Sequence, residues 1–246
     1  MPPAWLRLPL LPNADDFMLF STFSHIPGIG LKTEQRFWMN GVCRWDDFER
    51  RLLPHLSASK CREIDNYLDA SRIHLEKSPK FFTDLLPPAR HWRIFPHFRE
   101  RTAYLDIETT GASYGEDHIT ARTALPHAQI DLRYVLASLG YKGGLKACEK
   151  QLNIFRGELD GVDGYFAVLL WNEYVNNYNQ KSLETLLAYN VLDTVNLEAL
   201  MVEAYNLYIA KLPFAHDYEL GYPFPPANPF QADYPTIERL RRQYGI

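Results

Sequence analysis

Apolar residues recur at helical spacing along most of this chain. Ile64, Tyr67, Leu68 and Ile73 mark one face of an amphipathic helix over 58–77. Similar periodicity predicts helices over 44–56, 131–139, 144–152, 163–177 and 182–211. Gly140 stops the second of these, and Pro213 lies beyond the end of the last. The period changes at Tyr104-Leu105-Asp106-Ile107-Glu108, where apolar and acidic residues alternate. Alternation predicts a β-strand over 101–108, with Leu105 and Ile107 turned to a core and Asp106 and Glu108 together on the other face. A further strand end is expected near 129–132. The chain is therefore expected to be α/β from about residue 91 onward.

The flanks have different patterns. Before residue 90 the prediction is all helical, with a short helix near Asp15–Met18 and a glycine turn, Ile26-Pro27-Gly28-Ile29-Gly30, ahead of Lys32-Thr33-Glu34. Residues 213–235 hold six prolines among many aromatics, which predicts an extended tail, followed by a small basic helix carrying Arg239, Arg241 and Arg242. These shifts divide the chain into a helical module over 1–90, an α/β domain over 91–212 and a proline- and aromatic-rich tail over 213–246.

Composition narrows the classes. A chain of 246 residues with 46% hydrophobic and 23% charged residues suits a soluble globular protein. The first ten residues lack the apolar core of a signal peptide, and no apolar run approaches a membrane span. Cys43, Cys61 and Cys148 are odd in number and have no Cys-x-x-Cys spacing, which points away from disulfides and zinc and toward a reducing cytoplasm. The net charge of −4 does not advertise a nucleic-acid binder. Residues 1–100 nevertheless carry 14 Lys+Arg against 12 Asp+Glu, so phosphate binding would rest on local patches.

Candidate chemistry gathers at two places. Asp106 and Glu108 share one face of the expected strand, where two carboxylates repel unless a cation sits between them. The same spacing also suits a solvated sheet edge. Tyr189 and Asp193 lie four apart in the expected last helix and therefore stack on one face. Three carboxylates and a phenol suit a Mg2+- or Mn2+-dependent phosphodiester site, since such ions take oxygen ligands and clamp a transferring phosphoryl group. Gly28, Gly30 and Lys32 could bring backbone amides and a cation to a phosphate. Trp92 and Arg93, within the basic and aromatic run Arg90–Arg99, suit a path for single-stranded nucleic acid; a packed linker fits the same residues. No Gly-x-x-x-x-Gly-Lys loop supports nucleotide triphosphate hydrolysis, and no nucleophile elbow supports Ser/His/Asp catalysis.

The run Tyr104-Leu105-Asp106-Ile107-Glu108-Thr109-Thr110-Gly111 resembles the first motif of the DEDD superfamily of ribonuclease H-like 3′–5′ exonucleases. Tyr189-Asn190-Val191-Leu192-Asp193 resembles its third motif in the tyrosine (DEDDy) variety. With Ile130-Asp131-Leu132 and Gly143-Gly144-Leu145-Lys146, roughly residues 90–210 are similar to the YprB-type ribonuclease H-like domain. The resemblance implies a ribonuclease H-like mixed sheet flanked by helices, with Asp106, Glu108 and Asp193 as metal ligands and Tyr189 orienting the attacking water. Ile26–Glu34 resembles a helix-hairpin-helix.

One motif is missing. No Asn-Gly-x-x-Phe-Asp type segment lies between the other two, and only about twenty residues separate the first expected strand from the one near 130. That is too little for a meander, a helix and a further strand. Either the domain is abbreviated or the chain lacks a piece near 118–126, and Asp131 is the nearest replacement carboxylate. The resemblance implies metal-dependent hydrolysis of single-stranded DNA or RNA from a 3′ end. The alternatives are a non-catalytic nucleic-acid-binding protein that keeps the fold, and an interaction scaffold working through the tail.

Overall fold

The computed structural model describes residues 18–106, 127–213 and 218–246. Every regular element among them is helical, with no strand. The α-helices are α1 (Leu31–Met39), α2 (Ala58–Leu75), α3 (Pro79–Leu85), α4 (Phe95–Phe98), α5 (Leu132–Leu139), α6 (Gly144–Gln151), α7 (Gly164–Asn177), α8 (Gln180–Ile209) and α9 (Tyr234–Tyr244).

This corrects the expected α/β class and its ribonuclease H-like mixed sheet. The chain approaching Asp106 is a 3-10 turn, Arg99–Arg101, followed by irregular backbone. Leu105, which a strand would turn to the core, is 65% exposed. One short alternation is a weak strand signal, and over Tyr104–Asp106 the backbone is irregular. The expected strand near 129–132 is irregular backbone entering α5; there Asp131 accepts a hydrogen bond from the Arg133 N–H at 2.9 Å, an N-terminal cap rather than a ligand position. The predicted helix over 44–56 is two 3-10 turns, Trp45–Asp47 and Arg50–Leu52. Residues 107–126, with Glu108 and the junction near 118–126, lie outside the described residues.

The chain divides into two units interleaved in sequence. One draws on 1–102, 126–135 and 205–220, the other on 103–125, 136–204 and 221–246. The first is organised by aromatics: Trp45 stacks on Phe82 and Trp92 on Tyr208, the latter pair 4.5 Å apart and 3° from parallel. At its centre Arg93 donates to Glu34 Oε1 at 2.7 Å, both side chains almost wholly buried. The same oxygen accepts the backbone N–H groups of Phe23 and Ser24, so this carboxylate joins α1 to the turn before it and to the 3-10 segment Pro88–Arg93. In the second unit, α7, α8 and α9 enclose Val162, Phe166, Leu170, Ala188, Tyr189 and Ile237.

A buried histidine makes the first unit sensitive to acid. His25 hydrogen-bonds through Nε2 to Ser71 Oγ at 2.8 Å. Burial, reinforced by the nearby charge of Arg93, lowers its pKa to about 3. The folded state thus keeps His25 neutral, while the unfolded chain binds a proton there below its ordinary pKa. Stability from this group is full above about pH 6.5 and is lost as pH falls toward 3, at about 1.4 kcal/mol per pH unit. Urea unfolding at pH 7, 5.5 and 4.5 checks this: His25→Gln should flatten that slope relative to the parent, and parallel curves would refute it.

Candidate functional site

Tyr189, Asp193 and Asn196 occupy positions i, i+4 and i+7 of α8, which is one helical face. Tyr189 and Asp193 are buried, at 2% and 1% exposure. A buried carboxylate needs partners, and Asp193 has two cations. Arg156 donates to Oδ1 at 2.6 Å, and Lys146 pairs with Oδ2. Arg156 Nη1 also donates to both oxygens of Glu149, at 2.9 and 2.8 Å, and Asn196 donates to Glu149 Oε1 at 2.7 Å. The Lys146 ammonium lies 4.5 Å from the centre of the Tyr189 ring and the Arg156 guanidinium 5.5 Å, so both cations also face the ring's π-system. Burial disfavours the Arg156 charge, but the bonds and charges of Asp193 and Glu149 outweigh that and raise its pKa above the ordinary value.

Local backbone geometry brings the arginine there. Lys146 and Glu149 project from α6 three residues apart. Leu152 caps that helix and Asn153 follows in the left-handed region, with φ 56°. The Ile154 N–H then bonds to the Glu149 carbonyl and the Asn153 N–H to the Lys150 carbonyl, a paired closure that reverses the chain. Three residues later Arg156 falls beneath the helix it has just left. At the other end of α6, Gly143 has φ 104°, and a Cβ there would meet the Ala147 Cβ at 2.9 Å. Only glycine fits that position without moving the helix.

Beside this cluster runs an open cleft of about 570 Å³, lined among others by Lys146, Lys150, Phe155, Arg156, Asp160 and Asp163. Phe155 stands 84% exposed beside it. Asp163 caps α7 by accepting the Phe166 N–H at 2.9 Å.

The other expected site residues are scattered. Asp106 is exposed on irregular backbone, and Glu108 lies outside the described residues. Gly28, Gly30 and Lys32 are exposed at the turn into α1. Gly28 has φ 79°, and Lys60 donates to the Pro27 carbonyl beside it at 2.8 Å. Trp92 and Arg93 are interior, at 1% and 2% exposure. The basic and aromatic run is thus core packing at those two residues, and neither offers a face to a nucleic acid. Sequence reasoning missed Glu149, Arg156 and Asn196. The signal for Asn196 was its spacing, since i+7 from Tyr189 shares the face of Asp193.

Residues 120–205 match the family model of the RNase H superfamily. The match covers about a third of the chain. It contains Tyr189, Asp193 and the whole Lys146–Glu149–Arg156–Asn196 cluster, and it leaves Asp106 and Glu108 outside. No curated protein and no solved structure matches the chain.

The superfamily's association with divalent ions can be tested against the donors. Among the described residues, no group of three or more His, Cys, Asp or Glu side chains could hold a metal ion. Both oxygens of Asp193 are engaged by protein cations, and Glu149 is engaged by Arg156 and Asn196. As they stand these side chains do not fit a divalent ion, and an ion at Asp193 would first have to displace Lys146.

The cluster has a stability signature. Asp193→Ala takes from the buried Arg156 one of its two carboxylates and from the partly exposed Lys146 its partner, and should cost about 3 kcal/mol. Lys146→Met removes a partly exposed partner and should cost under about 1 kcal/mol. Denaturant unfolding of the two variants checks the order, and equal losses would show that Arg156 does not depend on Asp193.

Proposed function

We propose that this protein acts on nucleic acid as a nuclease-type protein. The observation that carries this reading is the superfamily match around the Tyr189-x-x-x-Asp193 face of α8. The finer form is a 3′–5′ exonuclease on single-stranded DNA or RNA that requires Mg2+ or Mn2+, with Asp106, Glu108, Tyr189 and Asp193 as its working residues. Its supports are the two sequence motifs and the type of donor they supply. The setting proposed is the cytoplasm, a reading supported by three free cysteines, two of them buried. Among the described residues no helix is long and apolar enough to cross a membrane.

A second reading has its own observation. Asp193 is neutralised by Arg156 and Lys146, which favours a protein that binds nucleic acid without turning it over. That protein would use the fixed charges of the α6 region for structure, and hydrolysis would be absent along with the missing middle motif.

One assay separates the two. A 3′-labelled and a 5′-labelled single strand are incubated with the full chain, with and without Mn2+. The nuclease reading expects Mn2+-dependent shortening from the 3′ end that falls by about 10²-fold or more in Asp106→Asn. Because Asp106 is exposed, this variant should unfold within about 0.5 kcal/mol of the parent. Unchanged cleavage by Asp106→Asn would sink the residue assignment. No cleavage, with binding that weakens steeply as salt rises, would favour the binder.

A further inference from the structure

The segment 221–229, Gly-Tyr-Pro-Phe-Pro-Pro-Ala-Asn-Pro, belongs to neither helix nor strand, and its chemistry is unlike the rest of the surface. Pro223, Pro225, Pro226 and Pro229 each fix their own φ near −65°. The residue before a proline is held extended, which restricts Tyr222, Phe224, Pro225 and Asn228 as well. Between 222 and 229 only Ala227 escapes both constraints. These constraints favour extended backbone of the left-handed polyproline type, which has three residues per turn.

That period sorts the side chains into three edges. Tyr222, Pro225 and Asn228 share one, and two of its members bond to α8: the Tyr222 hydroxyl donates to Glu203, and the Asn228 amide donates to the Ala188 carbonyl at 2.8 Å. The span agrees. Ala188 to Glu203 covers about 22 Å of α-helix, and Tyr222 to Asn228 covers about 19 Å of polyproline helix. The strap thus runs antiparallel along α8, pinned at both ends. Beyond it, the Asp233 N–H bonds to Thr185 Oγ1 at 2.9 Å and holds the return into α9.

Phe224 is 98% exposed, and Pro225, Pro226 and Ala227 are exposed beside it. A phenylalanine ring left almost wholly in water within a proline-constrained segment has the shape and rigidity of an interface anchor. Residues 220–232 carry no Lys, Arg, Asp or Glu. A phosphate backbone finds no counter-charge there, so nucleic acid is the wrong occupant. A groove walled by aromatic rings, which reads prolines spaced by three and pays little to order an already rigid ligand, is the fitting one.

We infer that the strap Tyr222–Pro229 is a docking ligand for a partner protein with an aromatic-lined, polyproline-reading groove, presenting Phe224 with Pro226 and Pro229. The test uses the full chain passed over a panel of immobilised, purified polyproline-binding domains. At least one should bind, and Phe224→Ala and Pro226→Ala should each weaken it by tenfold or more without changing the melting temperature. Tyr222→Phe, which cuts only the pin to Glu203, should weaken it a few-fold. Failure of every domain to bind, or binding indifferent to Phe224 and Pro226, would overturn the inference. So would a concentration-dependent dimer abolished by Phe224→Ala, which would make the occupant a second copy, or oligonucleotide binding lost in the same variant.

Discussion

Arg156 is the constraint on which the second unit turns. Its guanidinium sits between Glu149 on α6 and Asp193 on α8, buried with both. Three ionised groups out of water are tolerable only when each closes the bonding of the others. Here the fork of arginine splits between the two acids: Nη1 is shared by both oxygens of Glu149, and Nη2 meets Asp193 Oδ1. Asn196 adds a second bond to Glu149 Oε1, and Lys146 takes the other oxygen of Asp193. The left-handed Asn153 and the positive φ of Gly143 then become consequences. They set the two ends of α6 so that its acid meets an arginine delivered by its own following loop.

The first unit uses the same device with different wrapping. Glu34 takes one arginine and two backbone N–H groups on a single oxygen, and indole N–H groups nearby reach backbone carbonyls, Trp38 to Ser21 and Trp45 to Thr22. The Arg93 guanidinium lies over the rings of Trp38 and Trp92. The unit therefore gains rigidity from bonds that would be weak in water, and it also acquires its acid sensitivity, because His25 shares that dry interior with the Arg93 charge.

Most helices were legible in the sequence where an apolar face persisted over two turns or more, the expected helix over 44–56 being the exception. The expectations over 58–77, 144–152, 163–177 and 182–211 lie within a few residues of α2, α6, α7 and α8. The strand at 101–108 rested on one short alternation, and alternation states a preference without providing a partner. Leu105 in solvent is the outcome in the described part. At the site, the spacing of Tyr189 and Asp193 predicted a shared face, which is a property of the helix alone. Nothing within α8 announces Arg156, 37 positions away in sequence, because a salt bridge across a loop has no period. Burial of Trp92 and Arg93 was hidden for a related reason: basic and aromatic residues have the same composition whether they line a path or pack a core.

The role of Asp193 therefore has to be judged by its surroundings rather than its motif. A carboxylate waiting for an ion is ordinarily crowded by other carboxylates, and its removal relieves repulsion. Asp193 is crowded by cations, and its removal would create repulsion between Arg156 and Lys146. The two situations have opposite signs in stability while sharing one sequence pattern. Lys146 decides between them physically, since it is the partner with partial access to solvent. If it withdraws, Asp193 keeps Arg156 on one oxygen and frees the other. If it stays, the helix face of Tyr189 and Asp193 is a structural seam, and work on a phosphodiester would fall to residues nearer Asp106.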